Sequence, residues 1–137
     1  MKVRIFDFGY ETLPTRAHYK DAGLDVYARK SECLKPNETV AIPLGFGVEV
    51  PNGMMALLMP RSSLGKKGLH VHMAPIDAGY CGEIHLIMTN CSDEEYAIIK
   101  NDRIAQLVFI PIAIPELITE DAIDNERGNG RFGSSGR

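Results

Sequence analysis

The chain has 137 residues, of which 45% are hydrophobic, enough for one domain with an ordinary core. A net charge of −3 argues against a basic surface for long nucleic acid, while leaving room for a local anion site. No apolar run reaches membrane-spanning length, the opening MKVRIFDFGY has no signal-peptide pattern, and Cys33, Cys81 and Cys91 are odd in number with no CxxC pair. A cytoplasmic protein in a reducing compartment is therefore expected, without a disulfide framework or a cysteine zinc site.

In chain order, short apolar or alternating runs recur between turn signals. The predicted strands are Val3–Phe8, Leu24–Ala28, Glu38–Ile42, Gly45–Val50, Met54–Met59, Leu69–Met73, Glu83–Asn90, Tyr96–Lys100 and Arg103–Ile112. Lys35-Pro36-Asn37, Pro51-Asn52-Gly53, Cys91-Ser92-Asp93 and Lys100-Asn101-Asp102 are turn-forming clusters between them. No long stretch keeps a helical period, and SSLGKKG after Arg61 supports at most one helical turn. The pattern predicts an antiparallel sandwich or barrel. Pro111 and Pro115 break the last apolar run, so this segment is expected at a sheet edge or leaving the domain. FIPIAIPEL is too apolar to be left in water, which favours an oligomer.

Five polar islands interrupt the strands. In DAGLDVYA, Asp25 is an acid inside a strand-like run, where it is either an outward edge residue or functional. PRSSLGKKG places Arg61, Ser62 and Ser63 at a strand-to-turn corner, a plausible anion nest that lacks the order of a Walker loop. PIDAGYCGE crowds Asp77, Gly79, Tyr80 and Gly82 into a tight connection. Turn chemistry explains most of it, yet Ile76 and Tyr80 would hold Asp77 beside apolar surface, where a carboxylate can act as general base. In DRIAQLVF, Gln106 is either a satisfied core amide or a ligand contact. The fifth island, ERGNGRFGSSGR, combines glycines, arginines, serines and Phe132. Its GxGxxG string has no βαβ unit to follow it, so it reads as an arm closing over a phosphorylated, aromatic-ringed ligand, or else as a disordered terminus. His70 and His72, at i and i+2 in LHVHM, share a strand face. Without a third ligand at convincing spacing, two solvent-facing histidines are expected there.

In this order and spacing the islands resemble the five motifs of the trimeric deoxyuridine triphosphatase (dUTPase) family: AGLDVYA, PRSSL, IDAGYCGEI, DRIAQLVF and RGNGRFGSSG. The resemblance covers about Asp21 to Gly136. It implies an all-β, jelly-roll-like distorted barrel over residues 1–125 and a glycine-rich arm over 126–137, swapped between the subunits of a homotrimer. It also implies Mg²⁺-assisted hydrolysis of dUTP to dUMP and pyrophosphate, with no stable nucleic-acid or membrane partner. By motif, Asp77 is the general base and Asp25 holds waters of Mg²⁺. Arg61, Ser62, Ser63 and Gln106 contact the phosphates. Tyr80 packs under the deoxyribose. Uracil is read by the backbone of the hairpin at Val71, His72, Met73 and Ile76. From the arm, Phe132 stacks on uracil, while Arg127, Gly133, Ser134 and Ser135 close on the γ-phosphate end.

Four departures from the family pattern stand out. Ala74-Pro75 precedes Ile76-Asp77, and proline removes a backbone donor from the base-reading hairpin. Ser63 and Arg131 replace glycines, and Asn101 stands at a glycine position where asparagine tolerates the same left-handed turn. Two rivals differ in chemistry. A dCTP deaminase shares the fold but needs a glutamate at the place of Ile87. A non-catalytic dUTPase-like protein would bind a nucleotide or a regulatory protein partner without turnover.

Overall fold

A computed structural model of the chain describes residues 1–123; the predicted arm, with Arg127, Phe132, Gly133, Ser134 and Ser135, lies outside them. The described residues form eleven strands and one helical turn: β1 (Ile5–Asp7), β2 (Leu24–Tyr27), β3 (Glu32–Leu34), β4 (Thr39–Pro43), β5 (Phe46–Val48), β6 (Met54–Met59), α1 (Ser62–Gly65), β7 (Leu69–His72), β8 (Ile76–Asp77), β9 (His85–Asn90), β10 (Tyr96–Ile98) and β11 (Arg103–Pro111). They pair antiparallel into sheets of order β1-β5, β10-β3, β2-β11-β6-β8 and β4-β9-β7, the all-β distorted barrel expected.

Alternation decides the faces. In β7, Leu69 and Val71 are buried while His70 and His72 are exposed; in β9, Leu86, Met88 and Asn90 are buried while His85 and Ile87 face out. β5 is buried along all three residues. The core joins Phe46, Leu34, Ile42, Leu86, Met88, Ile98 and Leu107, each at most 2% exposed. Two short strands were missed from sequence. β3 holds Glu32 and Cys33 and shows one inward residue, Leu34, too few to register as alternation. β8 has only two residues and is defined by its partner β6.

The expectation for Pro111 needs refinement. β11 is an interior strand, but β2 covers it only as far as Leu107, so the strand is an edge by the time it reaches Pro111. The Ile112 N–H donates to the Gly53 carbonyl at 2.9 Å, which makes Pro111–Met54 a non-hydrogen-bonded pair. The proline nitrogen therefore faces the uncovered side and costs the ladder nothing. Beyond it residues 112–123 have no secondary structure, and Ile114, Leu117, Ile118 and Ile123 are each more than 70% exposed.

A fully buried Asn90 ties β9 to the β3 corner. Its Nδ2 donates to the carbonyls of Leu34 (3.0 Å) and Glu94 (2.7 Å), and its Oδ1 accepts from the N–H (3.0 Å) and hydroxyl (2.7 Å) of Ser92. Replacing it with an apolar isostere strands all of these partners. Asn90→Leu is expected to cost about 3 kcal/mol, from several buried polar groups left unpaired. Urea unfolding measures it, and a loss below about 1 kcal/mol would contradict this role.

Candidate active site

One cleft, of about 280 Å³, lies between the ends of β7 and β9. His72 and Ile87 face each other across the two strands and form one wall; Ala74, Pro75 and Ile76 form another, and Asp77 and Tyr80 line the mouth. β8 fixes Asp77 by pairing it with Met55, at the start of β6. The turn after it is closed by the Tyr80 N–H on the Asp77 carbonyl (3.2 Å), with Gly79 at φ +91°. The Tyr80 hydroxyl donates to the Glu83 carbonyl at 3.0 Å, which holds the ring over the cleft. Gly82 makes this possible, since a Cβ there would sit 2.5 Å from the Tyr80 oxygen. Glu83 Oε2 in turn accepts from the Gly45 N–H at 2.8 Å and lies 3.6 Å from Arg29, pinning the hairpin to the barrel.

Not every predicted hairpin residue serves in the same way. The Val71 side chain is 4% exposed and belongs to the core, so only its backbone is available to a ligand. Met73 is 54% exposed at the bend. His72 Nε2 lies 2.7 Å from the Thr89 hydroxyl, and its ring meets His70 edge-on at 4.8 Å. Both histidines are exposed, as the solvent-facing reading had it.

A second cluster sits at the other end of β6. Gln106 pairs with Asp25 on one side and with Met59 on the other, so the three form a row across β2, β11 and β6. Gly23 permits the close strand approach here, since a Cβ on it would lie 2.9 Å from the Gln106 Cβ. Arg61 follows two residues after Met59 as the N-cap of α1, and its Nη1 donates to the Arg103 carbonyl at 2.9 Å. Ser62 and Ser63 are exposed in the first turn of α1; Ser63 lines a polar cleft of about 400 Å³ with Arg61, Lys67 and Arg103. Asn101 has φ +73°, the left-handed conformation expected of it, and turns the chain into β11.

Asp25 lies on the outer face of β2, the end strand of its sheet, yet is only 7% exposed, so it faces outward without being open to solvent. Its Oδ2 lies 3.5 Å from Arg103 Nη1, and no other side-chain partner is found for it among the described residues. Its second oxygen and the half-buried Gln106 amide are free to meet a ligand. No group of three or more His, Cys, Asp or Glu among the described residues could enclose a metal. A hard cation that keeps much of its water and takes its remaining ligands from phosphate oxygens fits this single carboxylate, and Mg²⁺ is such a cation.

From Met55, opposite Asp77, to Met59, opposite Gln106, is four strand residues, about 13 Å. The candidate residues of one chain thus fall into two clusters: Asp77, Tyr80, Ile76 and His72 at one end, and Asp25, Gln106, Arg61, Ser62 and Ser63 at the other. Sequence reading missed Arg103, Lys67 and Glu83. Arg103 lay within the DRIAQLVF island, so its position was visible but its partner was not. The Cys33 thiol is no candidate nucleophile. Its hydrogen bond to Glu95 (2.5 Å), with some desolvation and the Glu95 charge, pushes its pKa up and disfavours the thiolate.

The family model for dUTPase matches residues 10–136. A deoxyuridine 5'-triphosphate nucleotidohydrolase of Mycolicibacterium gilvum is 40% identical, over 90% of this chain and 87% of its own. Among solved structures, a mutant dUTPase of Staphylococcus bacteriophage 80alpha with dUpNHpp superposes with a TM-score of 0.86 at 30% identity, covering 99% of both chains. A mutant dUTPase from phage phi11 of S. aureus, described for its structural Mg(II) ion, gives 0.84 at 25% identity over 91% of this chain and all of its own. With the family model spanning nearly the whole sequence, the chain belongs to the dUTPase family.

Proposed function

We propose that this chain is a dUTP diphosphatase, hydrolysing dUTP to dUMP and pyrophosphate at sites shared between the subunits of a homotrimer. The activity limits uracil incorporation into DNA and supplies dUMP for thymidylate synthesis. The carrying observation is the division of the motif residues into two clusters at opposite ends of β6. Neither cluster alone has both a base and phosphate ligands, and a second copy can bring the missing half. Two further features favour assembly. The outward face of the β2-β11-β6 sheet carries half-buried Leu57, Met59 and Val108, and the segment after Pro111 leaves apolar residues in water.

In this reading the cleft takes the deoxyuridine. Backbone groups from Val71 to Ile76 read uracil, and the Tyr80 ring packs under the sugar, leaving no room for a 2′-hydroxyl. Arg61, Ser62, Ser63 and Gln106 of another copy hold the phosphates, and the arm residues Arg127, Phe132, Gly133, Ser134 and Ser135 close the site. Asp77 takes a proton from a water while that water's oxygen bonds to the α-phosphorus. The α-phosphorus–oxygen bond to the β-phosphate breaks, and pyrophosphate leaves with its electron pair. Positioning and charge neutralisation supply most of the rate. Asp25 would hold Mg²⁺ through water, and the ion would neutralise the triphosphate.

A deaminase has no support in the cleft, because Ile87 lines the wall where its acid would be needed. Glu83, the second acid there, is committed to the Gly45 N–H and Arg29.

Pyrophosphate release from dUTP with Mg²⁺, run beside dCTP, dTTP and UTP, tests the assignment. Release from dUTP alone is expected, and binding without release would make the protein a nucleotide-binding one. Broad release would mean that Pro75 has relaxed base selection. Asp77→Asn is expected to lower kcat by about 10²- to 10⁴-fold and to retain binding of a non-hydrolysable dUTP analogue. Turnover within a few-fold of normal would remove Asp77 as the base. Gly82→Ala displaces the Tyr80 ring, so the preference for dUTP over UTP should narrow by about tenfold; an unchanged ratio would sink the sugar-packing role.

A further inference from the structure

We propose that Arg103 is a positioning residue that holds Asp25 and Arg61 in register for the triphosphate and its metal, and that a β-bulge at Ile104 puts it there. The proposal rests on the reading of Asp25 as the acid that holds metal-bound water. Between β2 and β11, Gln106 pairs with Asp25 and Ala105 with Val26, but Tyr27 pairs with Arg103. One residue, Ile104, is therefore extra on β11. Without it, strict alternation would place Arg103 on the core face with Ala105 and Leu107. The added residue reverses the parity, and Arg103 joins Asp25, Tyr27 and Gln106 on the outer face. Ile104 and Ala105 are both buried, so the bulge is locked by the core on its inner side.

From that place Arg103 touches both halves of the cluster. Its guanidinium lies 3.5 Å from the Asp25 carboxylate, and its main-chain carbonyl accepts the Arg61 guanidinium at 2.9 Å. Asp25 is almost buried and has no other charged partner among the described residues, whereas the Arg103 side chain is half exposed. The solvated cation thus orients a carboxylate that would otherwise be unpaired. The other carboxylate oxygen has no hydrogen bond among the described residues and is free for water.

Mn²⁺ affinity of the complex with a non-hydrolysable dUTP analogue, followed by electron paramagnetic resonance, reads this role without turnover. dUMP affinity, measured by calorimetry, reports on the distant cleft. Arg103→Gln is expected to weaken Mn²⁺ binding by about ten- to a hundredfold, as loss of a partner supporting a metal-site acid does, and to leave dUMP affinity unchanged. Because Arg103 acts through Asp25, Asp25→Asn combined with Arg103→Gln should bind Mn²⁺ no worse than Asp25→Asn alone. Wild-type Mn²⁺ affinity in Arg103→Gln, a parallel fall in dUMP affinity, or additive losses in the double variant would each overturn the assignment. If Arg103→Gln alone does not fold, a further loss of Mn²⁺ binding in the double variant beyond Asp25→Asn still overturns the assignment, since the asparagine leaves no unpaired charge. A native protein whose analogue complex takes up no Mn²⁺ would instead overturn the metal reading of Asp25 itself.

Discussion

The pairing of β11 with both β2 and β6 is the constraint on which the rest of the site depends. This one strand carries Gln106, and its two registers set what lies beside that residue: Asp25 on one side and Met59, two residues before Arg61, on the other. A slip of one residue in either ladder would turn Gln106 or its neighbours to the opposite face. The row is held from below by buried Ile104, Ala105 and Leu107, so core packing and ligand geometry are fixed by the same residues. The site is built on strands, with only its hairpin and α1 on connections, which suits a reaction that relies on position more than on covalent chemistry.

The same sheet also keeps the two clusters apart within one chain. β6 runs between β11 and β8, and its length sets the separation of the phosphate-side cluster from the hairpin that carries Asp77. In the proposed assembly the two clusters that serve one substrate come from different copies. A family of assemblies in which each copy gives one half to each of two neighbours follows from a head-to-tail ring, and closure of that ring at three is what the dUTPase family implies. The half-buried apolar face of the sheet and the apolar segment beyond Pro111 then have surfaces to cover.

Much of this was legible in the sequence. The long alternating runs gave the strands, because burial on one face writes a period of two into HLIMTN and LHVH. Asn101 could be placed in a left-handed turn from residue type alone. What was not legible depends on partners far away in sequence. β8 is a strand only because β6 lies beside it, and Arg103 faces Asp25 only because one extra residue lies between them and the regular pairing. A bulge leaves no periodic mark when both of its residues are apolar. Val71 carries both kinds of signal: motif order puts its backbone in the base-reading hairpin, while strand alternation puts its side chain in the core. The separation of the two clusters is likewise a property of register, invisible in a linear list of motifs.

The central claim is that each site draws on more than one copy of the chain, and complementation between inactive variants tests it most directly. Asp77→Asn removes the base at one end of β6, and Arg61→Ala removes a phosphate ligand at the other. Each variant alone is expected to be inactive. Unfolded together in equal amounts and refolded, they should regain about a quarter of native dUTP turnover, because half of the copies supply an intact base side and half an intact phosphate side. A mixture that stays as inactive as its components, although mixed assemblies have formed, would place the whole site within one chain and contradict the account.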